Sequence, residues 1–324
     1  MDRIARYDGL KTRSLQMGHY LRALRFENPN RQELKKLAVN VTGCANYLMF
    51  HDYYTVDQLR LVGAMTCKKS LLCAFCAARR AAKLVEKYLP TVQTILASQP
   101  HLKPVMITLT VKNGESLPER YRHLKTAYRR LQKLRSHTIE GRKWTEFAKV
   151  QGAIHSYEFT KPVTGWHPHI HMVALLSDWI DQKAFSAEWQ AITGDSFIVD
   201  IRRIIADTEI DLAGGMLEVF KYALKFQDLT LPDTFHAYET LKGKRLMGSF
   251  GVLRGLEEPE SLLDDPLEDL PFLELLYQFS ARKASYDLIQ TRVVSQVEVL
   301  NTGTGEVSSR QPCRIYPALP VRPL

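Results

Sequence analysis

The densest chemistry in the chain is the run His167-Pro168-His169-Ile170-His171. On a strand, side chains alternate in direction, so His167, His169 and His171 share one face. Ile170 and Met172 then point the other way, into a core. Imidazole is the commonest side-chain metal ligand near neutral pH, and two rings spaced two residues apart can meet one cation. A third ligand should come from the preceding strand, where Glu158 lies across a short turn at residues 161–166. In an antiparallel hairpin that carboxylate can lie opposite the histidines. One carboxylate with two imidazoles and open positions suits Mg²⁺ or Mn²⁺ and leaves room for a phosphate oxygen. Ligand type alone also admits Zn²⁺ or Fe²⁺. His169 and His171 are the expected ligands. His167 faces the same way and either joins them or supports them. His155 is an alternative to Glu158, with the opposite strand parity. A histidine patch with ordinary polar contacts is the plainer reading.

A second group is Glu218, Lys221, Tyr222 and Lys225, at spacings that place all four on one helix face. Leu217, Phe220 and Leu224 supply an apolar face. Alone, this is as easily a packed tyrosine beside a surface Glu–Lys pair. Beside a metal site it gains meaning. A phenolate can attack phosphorus and hold the strand as a phosphotyrosine. Cationic lysines would offset charge developing in the transition state. Glu218 could accept a proton from water or a 3′-hydroxyl in a second step.

A third group is Cys67, Cys73 and Cys76, with Cys44 upstream. Four thiolates would make a structural Zn²⁺ site, although the spacing departs from paired Cys-x2-Cys and His51 could replace Cys44. The alternative is a set of reduced, buried thiols.

These groups need elements to position them. Residues 77–97, rich in Ala, Leu, Lys and Arg, read as a helix ended by Ser98-Gln99-Pro100. Residues 103–112 alternate and are β-branched, a strand closed by Asn113-Gly114. Pro118 opens a helix to about Ser136, with Tyr121, Leu124, Tyr128, Leu131 and Leu134 as its buried stripe. Its Arg129 and Arg130 are either solvated or DNA-backbone contacts. Residues 152–160 and 167–176 read as two further strands. Ser177-Asp178 can cap a helix to about Ile192, which Gly194 stops. Residues 197–204 read as a strand. Residues 210–226 should be helical in their second half. After Gly255 the chain turns acidic, with a helical region expected around Leu273 to Leu288. The order predicts an α+β domain on a mostly antiparallel sheet.

The chain has 324 residues, is 45% hydrophobic and 24% charged, and carries a formal net charge of +9. Such a balance favours polyanionic partners, nucleic acid first. No stretch approaches the roughly 20 apolar residues of a membrane helix, and residues 1–20 carry no apolar signal core. A cytoplasmic protein with reduced thiols is expected.

Three segments, taken in order, resemble the rolling-circle replication initiators of small bacterial plasmids, within the His-hydrophobe-His (HUH) endonuclease superfamily. Met106-Ile107-Thr108-Leu109-Thr110 resembles the first motif. Gly165-Trp166-His167-Pro168-His169-Ile170-His171 resembles the metal motif. Glu218-Val219-Phe220-Lys221-Tyr222 resembles the catalytic motif. Finding the histidines ahead of the tyrosine is similar to initiators and not to mobilisation relaxases. Cys67, Cys73 and Cys76 followed by Arg79 and Arg80 look like the cysteine–arginine segment ahead of the nuclease core in these proteins.

The resemblance implies that Tyr222 is the nucleophile and stays joined to a 5′ phosphate while the 3′-hydroxyl primes synthesis. It implies that Glu218 directs water at termination. It further implies a five-stranded antiparallel sheet, a hairpin origin as DNA partner, a host helicase and a bacterial cytoplasm. The expected organisation is a basic, cysteine-rich segment at residues 1–100 and an endonuclease core at 101–252. An acidic, helical segment follows at 253–324. A transposase of the same superfamily shares this chemistry. A zinc-containing DNA-binding regulator without catalysis would leave Glu218 and Tyr222 unexplained, and a metal hydrolase with His169 and His171 as ligands and no covalent step is a further alternative.

Overall fold

The computed structural model describes residues 3–204, 209–221, 228–255, 257–268, 270–294 and 315–316. These residues fall into two compact units, one drawn from Met1–Lys69, Cys73–Cys76 and Ser261–Leu324, the other from Ser70–Leu72 and Ala77–Glu260. The boundaries expected at residues 100 and 252 differ from this division, chiefly because residues after Ser261 join the N-terminal unit.

In the first unit, helices α1 (Arg3–Glu27) and α2 (Glu33–Gly43) pack together. Its sheet takes strands from both ends of the chain. They are β1 (Tyr47–Tyr53), β2 (Gln58–Ala64), β8 (Phe272–Ser280), β9 (Ser285–Val294) and β10 (Ile315–Tyr316), in the order β10-β9-β8-β1-β2. The helical region expected around Leu273 to Leu288 is therefore corrected: it is the antiparallel β8–β9 hairpin. An apolar run such as Phe272-Leu273-Glu274-Leu275-Leu276 fits a buried helix or a strand equally by periodicity, and pairing with β1 decides it.

The second unit holds a sheet of five antiparallel strands, in the order β6-β3-β5-β4-β7. They are β3 (Lys103–Thr110), β4 (Val150–Thr160), β5 (His167–Leu176), β6 (Val199–Arg203) and β7 (Met247–Gly251). Alternation divides its side chains between two covered faces. On one face Val105, Ile107, Leu109, Ile170, Met172 and Ala174 pack against α4 (Leu117–Ile139), α5 (Gln182–Thr193) and α7 (Leu231–Leu241). On the other, Ile154, Val173 and Leu175 pack against α3 (Ala74–Ser98) and α6 (Glu209–Phe220). Ile170 is fully buried between two histidines, contributing about 1.5–3 kcal/mol and anchoring the strand.

Local signals set the helix starts. The Ser116 hydroxyl caps α4 by accepting from Glu119 N, with Pro118 in the first turn. Asp181, rather than Asp178, caps α5 by accepting from Lys183 N and Ala184 N at 2.9 and 3.0 Å. Gly194 ends α5 in the left-handed region at φ 77°, as expected of it. Of the helix expected over the second half of residues 210–226, the described part up to Phe220 is helical, and α6 begins earlier than expected, at Glu209. Residues 222–227 lie outside the described residues.

Candidate metal centre

The β4–β5 hairpin brings the candidate ligands together. Its register sets Glu158 opposite His169 and Ser156 opposite His171. The turn before β5 is tied to β3's continuation by Trp166 N donating to Gly114 O at 2.7 Å and Gly114 N to Trp166 O at 3.1 Å. Gly165, at φ 99°, is required there, because a Cβ would meet the Gly114 carbonyl oxygen at 2.6 Å.

On the face towards α6, His169 Nε2 lies 3.5 Å from Glu158 Oε1, and His171 Nε2 lies 3.2 Å from Glu158 Oε2. Glu158 and His169 are buried, and His171 nearly so. One donor atom from each residue lies within 4.8 Å of the other two. A buried carboxylate needs a charged or hydrogen-bonding counterpart, and both imidazoles turn a nitrogen to it. His169 Nδ1 is also buried without a hydrogen-bond partner. The donor set and its convergence fit a divalent cation. His167 is not in this group: its Nδ1 meets Asn113 Oδ1, and Asn113 Nδ2 reaches Thr164 Oγ1 at 2.5 Å. His155, the alternative to Glu158, faces the opposite way, its ring 4.8 Å from Tyr128 and 6.5 Å from Phe250. Burial, with a smaller effect from Arg245, lowers its pKa to about 4.

Three neighbours escaped the sequence reading as functional groups. Thr108 Oγ1 lies 3.0 Å from His171 Nδ1. Ser156 donates its hydroxyl to Val219 O, joining α6 to the sheet. Asn113 holds His167. The alternation of Thr108 and Thr110 with Ile107 and Leu109 was the available signal, since it sets both hydroxyls on the histidine face.

The tyrosine group is only partly described. Leu212, Met216, Val219 and Phe220 bury α6 against the sheet. Glu218 is partly exposed and pairs with Lys221. Tyr222 and Lys225 lie outside the described residues. Of the arginines, Arg79 is buried. Arg80 Nε donates to Glu258 at 2.6 Å. Arg129 and Arg130 are exposed on α4.

In the first unit Cys44, Cys67, Cys73 and Cys76 gather as free thiols with donor atoms within 4.8 Å of one another. Sulfur–sulfur distances are 3.4 Å for Cys44–Cys76, 3.5 Å for Cys44–Cys73 and 3.6 Å for Cys67–Cys76. A tetrahedron with Zn–S bonds of about 2.3 Å has edges of about 3.8 Å, so the cluster fits zinc closely. Hydrogen bonds from Cys44, Cys67 and Cys76 hold the Cys73 thiol well below its ordinary pKa. Cys44 belongs to the set and His51 does not: His51 stacks on Phe272 at 3.8 Å. Lys11, fully buried, donates from Nζ to Thr42 O, Cys44 O and Asn46 Oδ1, each at 2.7 Å, fixing the chain at Cys44.

Two groups could therefore each hold a metal ion, one of carboxylate and imidazole, one of thiols. Among the described residues no helix is long and apolar enough to cross a membrane. A family model described as Replication protein matches residues 58–275, more than half of the chain. The chain is 25% identical over 277 residues to "Protein rep" of Bacillus amyloliquefaciens, covering 74% of this chain and 77% of the relative. It is 26% identical over 221 residues to "Protein rep" of Streptococcus pneumoniae serotype 2 (strain D39 / NCTC 7466), covering 62% and 65%. No solved structure matches the chain. The matched span contains both strands of the candidate metal hairpin and three of the four clustered cysteines. The chain belongs to the Replication protein family, and its resemblance to plasmid replication initiators holds.

Proposed function

We propose that this protein starts rolling-circle plasmid replication by cutting one strand of origin DNA with Tyr222, in the manner of HUH endonucleases. The observation that carries the reading is the convergence of Glu158, His169 and His171 at one buried point of a family member's sheet. Glu158, His169 and His171 would hold Mg²⁺ or Mn²⁺, which when bound would supply positive charge to polarise the scissile phosphate. Tyr222 releases its phenolic proton to solvent, and its oxygen forms a bond to phosphorus as the bond to the 3′-oxygen breaks. The 3′-oxygen takes up a proton and becomes the primer hydroxyl, and the 5′ phosphate stays on the tyrosine. Lys221 and Lys225 offset negative charge on the reacting phosphate. Glu218 accepts a proton from water when the final cut is made hydrolytically. The thiol cluster holds a structural Zn²⁺, and Arg129 and Arg130 contact the DNA backbone from α4. A host helicase opens the duplex behind the nick, in the bacterial cytoplasm. The family match favours this reading over a transposase or a regulator without chemistry.

The test is incubation of the full chain with Mn²⁺ and single-stranded origin DNA labelled at its 3′ end. The label should migrate with the protein, and peptide mapping should find it on Tyr222. Tyr222→Phe should lose the adduct. An adduct that persists in this variant, or metal-dependent nicking without one, would refute the covalent mechanism.

A further inference from the structure

Thr108 lies on β3 with its side chain on the face of the candidate ligands, in register with His171. Its Oγ1 is 3.0 Å from His171 Nδ1, while the other ring nitrogen, Nε2, is 3.2 Å from Glu158 Oε2. A neutral imidazole carries one proton, on one nitrogen or the other. A cation can use only the nitrogen that keeps its lone pair, so ligation through Nε2 requires the proton on Nδ1. A hydroxyl oxygen beside Nδ1 can accept that proton's hydrogen bond.

His169 supplies the contrast. Thr110 is its partner in register, yet His169 Nδ1 has no hydrogen-bond partner. The two rings meet edge-on, with centroids 4.5 Å apart and planes at 81°. Fixing the His171 ring therefore restrains its neighbour. The strand itself has no need of the hydroxyl, because a β-branched valine fills a strand position as well as threonine.

The geometry points to Thr108 as a positioning residue: its hydroxyl accepts from His171 Nδ1–H and fixes the tautomer and ring orientation that present Nε2 to a divalent cation. This rests on the metal reading of Glu158, His169 and His171. Thr108 touches neither the DNA nor the cation; it acts through His171.

The experiment uses the full chain with Mn²⁺ or Mg²⁺ alone. Bound and free Mn²⁺ are measured by electron paramagnetic resonance, and ring tautomers of the protein saturated with diamagnetic Mg²⁺ by nitrogen-15 NMR, with His171→Gln assigning the signal. Thr108→Val should raise the Mn²⁺ Kd about 10- to 100-fold and move the His171 proton off Nδ1 in part of the population. Thr108→Ser should restore both. Thr108→Ala takes the place of the valine variant should that one not fold. Valine and serine variants that are equally weakened, or a valine variant that binds like the wild type, overturn the proposal. Wild-type protein that binds no Mn²⁺, or a Glu158→Ala variant that binds as well, refutes the metal reading instead.

Discussion

Replacing His155 with leucine separates the metal hairpin's chemistry from its core. The ring lies among Tyr128, Tyr157 and Phe250, with Arg245 as the nearby charge acting on it and Arg135 over the Phe250 ring at 4.9 Å. Its pKa is lowered to about 4 from an ordinary value of 6.5, mainly by burial. The unfolded chain therefore binds the proton more readily than the native one. The ring's contribution to stability is complete above pH 6.5 and is lost as pH falls towards 4. At pH 5 the loss is about 2 kcal/mol, and its limit at lower pH is about 3.4 kcal/mol. His155→Leu abolishes this dependence. At pH 7 the exchange should cost less than about 1.5 kcal/mol, since His155 Nδ1 has no hydrogen-bond partner to lose. Thermal unfolding at pH 7 and pH 5 reads the effect. The wild type should lose about 4–8 °C more than the variant between these values, at roughly 2–4 °C per kcal/mol for a unit of this size. Equal losses in both proteins would refute the burial argument. A variant that no longer binds Mn²⁺ would return His155 to the ligand set.

Glu158→Gln should abolish stabilisation by Mn²⁺: at a hundred times its Kd, the cation raises wild-type stability by about 2.7 kcal/mol, and an equal shift in the variant would exclude this carboxylate. Cys73→Ala should remove the zinc measured by elemental analysis of the purified chain and expose the first unit to protease, because structural zinc contributes on the order of 10 kcal/mol to folding; a zinc-free wild type that resists protease would refute the site. Reversing Arg129 and Arg130 to glutamate should lower the salt dependence of single-stranded DNA binding by about 0.7 per lost phosphate contact, and an unchanged slope would return α4 to a solvated face.

The convergence of Glu158, His169 and His171 was legible because the three residues are local. Strand parity aligned His169 with His171, and a short turn fixed Glu158 opposite them. The order from β3 to α6, strand, helix, strand, strand, helix, strand, helix, also followed from period and punctuation, whereas α7 and β7 were not expected. What failed depended on distant contacts. Gly214 and Gly215 argue against a helix at the start of α6, yet Gly215 lies where a Cβ would meet the Ile204 side chain at 2.9 Å, so close packing explains it. The first hundred residues were read mainly through their cysteines. Besides the expected α3, they form two helices and a hairpin whose sheet partner lies more than 200 residues away. The hydroxyl of Thr108 drew no role from its motif, because strand order decides which strand flanks β5.

That distant pairing has a consequence for synthesis. β8 stands at the centre of the first sheet, between β9 and β1, but it leaves the ribosome after the whole second unit has been made. The second unit's sheet can close while the chain is still growing, whereas β1 keeps an unpaired edge until β8 arrives. During that interval the early cysteines wait in an unfinished unit, and a premature stop before Phe272 would leave a complete hairpin of ligands joined to a half-built sheet prone to edge association.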